Sequence, residues 1–267
     1  MDDSRPPLVP YPLPEPVPAE PAPPPKPEVW GGWATFGFGV VILIVTILVE
    51  GVIGAIVLAA LMVADKLPLN DLNAFMDLFQ QHAGIIVAVS VVINAAVGIG
   101  LMYLIIRGRR GLGFWDYLGF RRTTVKAVLL ALVAFGVYFG INALVEQLAG
   151  TSSDATLGFN FYDTSTWPVL VWAAVCVIGP LYEEMWVRGF MFAGFIRSSL
   201  AVTGTLVVTS LFWAVQHVQY TWLAIMMIFI FGLALGYIRW KSDSIWPSII
   251  VHAVNNTIAL ALLTYHV

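Results

Sequence analysis

The chain has 267 residues, of which 59% are apolar or aromatic and only 11% are charged. A soluble domain carries about 25% charged residues, so this composition excludes a soluble globular protein and predicts a polytopic membrane protein. With 13 basic and 16 acidic residues the net charge is −3, which excludes a basic surface for nucleic acid. The single cysteine, Cys176, excludes an intrachain disulfide and a cysteine-rich metal site.

Residues 1–32 differ in composition from the rest of the chain, because they hold twelve of its sixteen prolines. Proline fixes φ and has no backbone N–H to donate, so such a stretch favours an extended, solvated conformation. We therefore predict a proline-rich, disordered cytoplasmic tail over residues 1–32, followed by N-terminal transmembrane helices over residues 33–166.

Seven apolar stretches follow the tail. A backbone inside a bilayer must satisfy its own hydrogen bonds, so each stretch of about 20 apolar residues predicts a helix. The sequence therefore predicts an all-α transmembrane bundle of about seven spans, within a range of six to eight. In chain order the spans are Trp33–Ala64, Ala83–Ile106, Ala127–Leu148, Trp167–Ile196, Leu200–Val218, Thr221–Ile238 and Ile245–Leu263.

Basic residues collect in alternate loops, after the second, fourth and sixth spans. By the positive-inside rule this distribution predicts an integral multi-pass protein with its N-terminus inside, in what we expect to be a bacterial cytoplasmic membrane. The loop segment 111–120 is rich in aromatic residues, which is typical of a segment in the headgroup region. The basic residues are Arg107, Arg109, Arg110, Arg121, Arg122, Lys126, Arg197, Arg239 and Lys241.

Glu50 interrupts the first span, where a charged side chain is costly. Three explanations are open: a polar partner in the bundle, a position along a cavity, or a division of the span into two short helices. Asn94 in the second span is expected to form a hydrogen bond between helices.

The fourth span carries three charged residues and Pro180. Each charge at the bilayer centre costs at least about 2.5–3.5 kcal/mol, which favours a function or a specific pairing. Glu184 and Arg188 are at i and i+4, so they share a helix face and can pair. Glu183 is rotated by about 100° and is left as an acid or base for water. Pro180 should bend the helix and free a carbonyl. The alternative is a structural ion pair between helices.

Two further polar pairs lie in later spans, each with i, i+4 spacing. Trp213 and His217 end the fifth span, and His252 and Asn256 lie inside the seventh. A lone histidine in a helix is more often a hydrogen-bonded core residue than a catalyst. Together with the glutamate pair, however, these side chains could activate a water molecule and stabilise an oxyanion.

The order of these motifs resembles that of the CPBP intramembrane endopeptidases. That family includes the type II CAAX prenyl proteases and bacterial bacteriocin-processing and immunity proteins. The resemblance covers about Trp167–Leu260 and implies a catalytic helical core over residues 167–267. The motifs are Glu183-Glu184-x-x-x-Arg188-Gly189, an aromatic residue with x-x-x-His217, and His252-x-x-x-Asn256.

The resemblance also implies a role for each motif residue. Glu183 would activate the hydrolytic water with help from His217. His252 and Asn256 would stabilise the oxyanion, and the remaining pair, Glu184 with Arg188, would hold the helix in place. The chain departs from the family at Trp213, where phenylalanine is usual. Since an aromatic ring remains, we expect this change to alter the shape of the cavity rather than the chemistry.

The family has been described both as metalloproteases and as glutamate proteases. Glu183, His217 and His252 could supply a His₂Glu zinc set, but the HExxH spacing is absent. We favour a glutamate mechanism without a cofactor and keep a zinc-dependent version as the alternative. The expected partners are membrane lipid and a peptide or membrane-protein substrate, with no nucleic acid. A non-catalytic immunity or scaffold protein on the same fold is the alternative from another class, and a transporter comes third.

Hydropathy places the two histidines at different depths. His217 lies about 27 Å along the fifth span from Ser199, whereas His252 lies about 10 Å into the seventh span from the inner side. One site requires both at one depth. The fifth helix must then begin above the membrane or tilt strongly, or the loop assignments are wrong.

Overall fold

The computed structural model describes residues 29–109, 111–150 and 167–265, and the regular elements in these ranges are all helical. Most of the predicted tail (residues 1–28), Arg110 of the basic loop and the last two residues lie outside the described residues. The helices are α1 Gly32–Ala64, α2 Leu72–Arg107, α3 Phe114–Leu118, α4 Val125–Ala149, α5 Pro168–Phe195, α6 Ala201–Ala214, α7 Trp222–Ser242 and α8 Trp246–Tyr265. A 3₁₀ turn, Val215–His217, extends α6.

Six helices among the described residues are long and apolar enough to cross a membrane: α1, α2, α4, α5, α7 and α8. This number lies within the predicted six to eight spans, so the predicted all-α transmembrane bundle is confirmed. The predicted fifth span, Leu200–Val218, is not among these six helices, because it is too short to cross a membrane. Its helix α6 has 14 residues, or about 21 Å, whereas a span needs about 20 residues.

Helix α5 lies at the centre of the bundle. Half of its most apolar stretch is buried, against 11% for the corresponding stretches of α1 and α4. The largest cluster of buried apolar residues surrounds its second half, which contacts side chains from α2, α3, α6, α7 and α8. A helix buried on most sides can hold polar groups away from lipid, and α5 is the helix that carries the two glutamates.

Two π-helical segments, Ala174–Ile178 and Met185–Met191, interrupt α5 on either side of Glu183 and Glu184. In the first segment the N–H of Gly179 bonds to the carbonyl five residues earlier. Pro180 has no N–H for the next such bond, to Val175. The amide of Asn256 from α8 donates to the Val175 carbonyl instead, at 3.0 Å. The carbonyl that the sequence predicted to be freed is therefore satisfied by another helix.

Glu50 lies within one continuous helix, which excludes the explanation that it divides the first span into two short helices. Its carboxylate accepts a hydrogen bond from Nδ2 of Asn94 on α2, at 2.9 Å. The expected hydrogen bond between helices at Asn94 is confirmed, and Glu50 has the polar partner that one of the three explanations required.

One end of the bundle is held together by polar contacts between the loop after α3 and the turn between α7 and α8. The N–H of Ile245 donates to the Gly119 carbonyl at 3.0 Å, and the hydroxyl of Ser244 donates to the Arg121 carbonyl at 2.7 Å. Arg121 also forms a salt bridge with Asp243. The basic loop after the second span and the basic end of the sixth therefore lie together at one end of the bundle.

The residues before α1 pack against the same end. Tyr117 accepts a hydrogen bond from the backbone N–H of Trp30 at 3.2 Å, and the Trp30 indole donates to the Ile105 carbonyl at 3.0 Å. Burial raises the pKa of Tyr117 to about 12, so its phenol stays neutral as an acceptor. These bonds attach the start of α1 to α2 and α3.

Candidate active site

The innermost polar contact is an ion pair within α5. Nη1 of Arg188 lies 2.9 Å from Oε1 of Glu184, and both side chains are 0% exposed. Nη2 of the same guanidinium donates to the Gly232 carbonyl on α7 at 3.2 Å. The pairing predicted from the i, i+4 spacing is therefore present. It balances two charges that would be very costly to bury separately.

His252 connects α8 to both glutamates. Its Nδ1 lies 3.1 Å from Oε1 of Glu184, and its Nε2 lies 4.0 Å from Oε2 of Glu183. An ionised carboxylate only accepts hydrogen bonds, so Nδ1 carries the proton of the bond to Glu184. The ring is buried and lies between the two carboxylates of α5, with one nitrogen facing each.

Glu183 occupies the more open side of this cluster, with 31% of its side chain exposed. Its Oε2 accepts a hydrogen bond from the indole Nε1 of Trp213 on α6 at 2.6 Å. The two neighbouring glutamates thus differ in environment. Glu184 is enclosed and paired with a guanidinium, whereas Glu183 keeps access to the space outside the cluster.

His217 lies on the 3₁₀ turn after α6. Its Nδ1 lies 3.0 Å from the carbonyl of Trp213, and a carbonyl only accepts, so Nδ1 carries the proton in that bond. The other ring nitrogen, Nε2, is then the one that can act as a base in the neutral ring. Tyr220 stacks on the imidazole with ring centroids 5.8 Å apart.

Trp213 lies between the two histidines. Its ring centroid is 5.2 Å from that of His217 and 5.2 Å from that of His252, so both imidazoles flank one indole. The prediction from hydropathy that the two histidines lie at different depths is therefore wrong. That prediction assumed that residues 200–218 form a full span, but α6 is short, and Trp213 near its end contacts His252 on α8.

Asn256 is one turn after His252 on α8 and also contacts α5. One of its amide N–H groups donates to the Val175 carbonyl, as described above, and its Oδ1 accepts from Asn255 at 3.2 Å. An amide has two N–H donors, so one remains for another partner.

All six predicted site residues therefore lie on α5, on α8 or on the turn after α6. Glu184 contacts Arg188 and His252, and Trp213 contacts Glu183 and both histidines. The contacts of Asn256 are instead to Val175 and Asn255.

Two neighbouring residues were missed by the sequence analysis. Gly232 gives Arg188 its carbonyl, and a Cβ at this position would lie 2.9 Å from Cβ of Ser210, so α6 and α7 approach closely here. The repeated spacing of Gly232 and Gly236 in an apolar helix is the signal that could have indicated this packing. The second missed residue is Tyr220, which stacks on His217. Burial, and to a smaller extent the charge of Glu183, raises the pKa of its phenol.

The side chains that could hold a metal are Glu183, His217 and His252. Among the described ranges, no group of three or more histidine, cysteine, aspartate or glutamate side chains is arranged to hold a metal ion. Both histidines direct Nδ1 to protein acceptors, so a metal would have to be bound through Nε2 of each ring.

Residues 165–258 match the family model described as Type II CAAX prenyl endopeptidase Rce1-like. The match covers about a third of the chain, contains all six predicted site residues and confirms the resemblance that the motifs indicated. It indicates a protease and, together with the six apolar helices, an integral membrane protein that acts on peptide in a lipid environment. No curated protein and no solved structure matches the chain.

Proposed function

We propose that this chain is an intramembrane endopeptidase in which Glu183 activates the hydrolytic water with the help of His217. The observation that carries the proposal is the contrast between two adjacent glutamates. Glu184 is fully buried and paired with Arg188, whereas the Glu183 carboxylate is partly exposed and lies 4.0 Å from Nε2 of His252. A general base needs both an available carboxylate and access for water, and Glu183 has them.

The reaction follows from the properties of a carboxylate base. Glu183 takes a proton from water as the water oxygen forms a bond to the peptide carbonyl carbon. The carbonyl π electrons move to oxygen, which gives a tetrahedral oxyanion. When the C–N bond breaks, the protonated Glu183 transfers its proton to the leaving nitrogen, so no proton is gained or lost over the cycle. Holding water, base and carbonyl together supplies much of the rate enhancement.

His252 and Asn256 stabilise the oxyanion in this proposal. For His252 to donate from Nε2 while its Nδ1 stays bonded to Glu184, the ring must be doubly protonated before the reaction begins, so it exchanges no proton during the cycle. Asn256 donates from the amide N–H that does not bond to Val175. Donors that are already fixed in place strengthen such stabilisation, because they need no reorganisation during the reaction. Glu184 and Arg188 hold His252 and α5 in position.

We assign a glutamate mechanism without an obligatory metal. In support, Oε2 of Glu183 already accepts a hydrogen bond of 2.6 Å from Nε1 of Trp213. Zinc bound by Glu183, His217 and His252 is the competing mechanism, and a chelator distinguishes the two.

The rest of the chain has supporting roles. Residues 33–166 form N-terminal transmembrane helices beside the catalytic core at residues 167–267, and the proline-rich stretch 1–32 is a cytoplasmic spacer. The protein lies in a bacterial cytoplasmic membrane with its N-terminus inside, and its substrate is a peptide or membrane protein that reaches the site from the bilayer.

The test is a cleavage assay on the purified, detergent-solubilised protein. A pooled peptide library is incubated with wild type, with Glu183→Gln and with Glu50→Gln, each with and without a strong zinc chelator, and products are identified by mass spectrometry. Glu50→Gln is the matched control, because it alters another intramembrane carboxylate on α1, outside the site.

Each outcome has a defined meaning. Cleavage by wild type and Glu50→Gln that is lost in Glu183→Gln and survives the chelator is the expected result. Cleavage that the chelator abolishes would replace the glutamate mechanism by the zinc-dependent one. Absence of any Glu183-dependent cleavage would contradict the proposal and favour a non-catalytic immunity or scaffold protein.

A further inference from the structure

The residue at which this chain departs from the family pattern contacts the proposed base directly. Trp213 stands where phenylalanine is usual, and its Nε1 lies 2.6 Å from Oε2 of Glu183. A phenyl ring has the shape to fill this position but has no N–H to donate. The substitution therefore adds a hydrogen-bond donor to the site, which is more than the change of shape expected from the sequence.

The indole has little freedom to move away from Glu183. It is buried, and its ring is enclosed by the imidazoles of His217 and His252. The guanidinium of Arg188 lies over it, with Cζ 4.6 Å from the ring centroid. A cation on the face of the ring attracts its electrons, which also strengthens the N–H as a donor.

The bond selects one of the two carboxylate oxygens. Oε2 of Glu183 accepts from Trp213 and is also the oxygen that lies 4.0 Å from Nε2 of His252. A carboxylate with one oxygen bonded to a fixed donor cannot rotate freely about its last torsion. Oε1 is then presented in one orientation for proton transfer.

From this geometry we infer that Trp213 is a positioning residue for Glu183, which holds the carboxylate by its indole N–H in the orientation needed to take a proton from water. The inference rests on the proposed function for its catalytic consequence. The contact itself is independent of any reaction and is measured separately.

The contact is tested by NMR of the indole N–H groups. The chain has ten tryptophans, which give ten indole signals in protein labelled with ¹⁵N at the indole nitrogen. Trp213→Phe assigns the signal of Trp213 by its absence. In Glu183→Ala this signal should move upfield, because the indole N–H has lost its charged acceptor. The other nine indole signals should keep their wild-type positions, which shows that the fold is kept. An unmoved Trp213 signal would overturn the inference.

The catalytic consequence is tested with Trp213→Phe on a peptide that wild type cleaves. A hydrogen bond to a charged group contributes enough free energy that its loss should lower kcat by about tenfold or more. KM should stay within about twofold, since the ring that shapes the cavity is kept.

Trp186→Phe is the matched control. Trp186 is equally buried on α5, but its Nε1 has no hydrogen-bond partner in the described part of the chain. Its removal therefore takes away ring area without a bond, and kcat should change by less than about threefold. Equal losses of kcat in Trp213→Phe and Trp186→Phe would overturn the inference, because they would indicate packing alone.

Failure of the inference can be distinguished from failure of the proposed function. A wild type with no Glu183-dependent cleavage would refute the proposed function, and the indole signal would still decide the contact. Wild-type cleavage with an unchanged kcat in Trp213→Phe would leave the proposed function intact and refute the role of Trp213.

Discussion

Removing one partner of the buried ion pair in α5 should strongly destabilise the protein. Arg188→Met keeps much of the side-chain volume but removes the guanidinium, which leaves the Glu184 carboxylate at 0% exposure with the bond from Nδ1 of His252 and without its arginine partner. The variant also takes away the donor to the Gly232 carbonyl. Breaking a buried pair by removing one partner costs about 3–5 kcal/mol.

A second substitution separates the charge from the packing. Glu184→Gln in the Arg188→Met background removes the buried negative charge but keeps an oxygen that accepts from Nδ1 of His252. An uncharged amide costs less to bury than a carboxylate. The double variant should therefore recover about 2 kcal/mol of the lost stability.

The assay is reversible unfolding in mixed micelles by titration with SDS, followed by tryptophan fluorescence and circular dichroism. The expected order of stability is wild type, then the double variant, then Arg188→Met. A double variant that is no more stable than Arg188→Met would refute the reasoning, because the destabilisation would then not come from the buried charge that Glu184 keeps without its arginine partner.

Two further substitutions test contacts around the site. Gly232→Ala adds a methyl group 3.2 Å from Nη2 of Arg188, so it should lower the free energy of unfolding by about 1–3 kcal/mol in the same titration. In the control Gly236→Ala the added methyl group meets only the end of a leucine side chain, so the loss of stability should be smaller. Equal losses in the two variants would contradict the close approach at Gly232. Asn256→Leu leaves the Val175 carbonyl without its amide donor, which should cost about 1–3 kcal/mol, and an unchanged unfolding midpoint would show that this bond is unimportant.

Local helix geometry could be predicted from the sequence, because it depends on spacing alone. Four residues make slightly more than one helical turn, so the pairing of Glu184 with Arg188 followed directly from their positions. The effect of Pro180 was predictable for the same reason, since its missing N–H must leave a carbonyl to be satisfied. Which group satisfies it was not predictable, because Asn256 is 81 residues away from Val175.

Depth in the membrane was the part that hydropathy could not predict. Apolar residues face either lipid or neighbouring helices, and composition does not distinguish the two. Residues 200–218 were interpreted as a span, although α6 ends at Ala214 and much of its surface packs against α7. The position of Trp213 between His217 and His252 depends on this packing.

The role of Trp213 was missed for a related reason. Its ring was expected to matter through its shape, because the sequence shows the residue type but not the direction of its N–H. That direction depends on how α6 lies against α5, which brings Nε1 to the Glu183 carboxylate. Directional polar contacts between helices require the tertiary structure.

The central claim, that Glu183 is the base of a peptide-bond hydrolysis, is tested most directly by kcat on one cleaved peptide. Wild type, Glu183→Gln and the control Glu50→Gln are reconstituted into the same lipid vesicles and compared at equal amounts of folded protein. Loss of a general base should lower kcat by about 10²–10⁴-fold in Glu183→Gln, with Glu50→Gln close to wild type. A Glu183→Gln variant that retains kcat within about threefold of wild type would contradict the account.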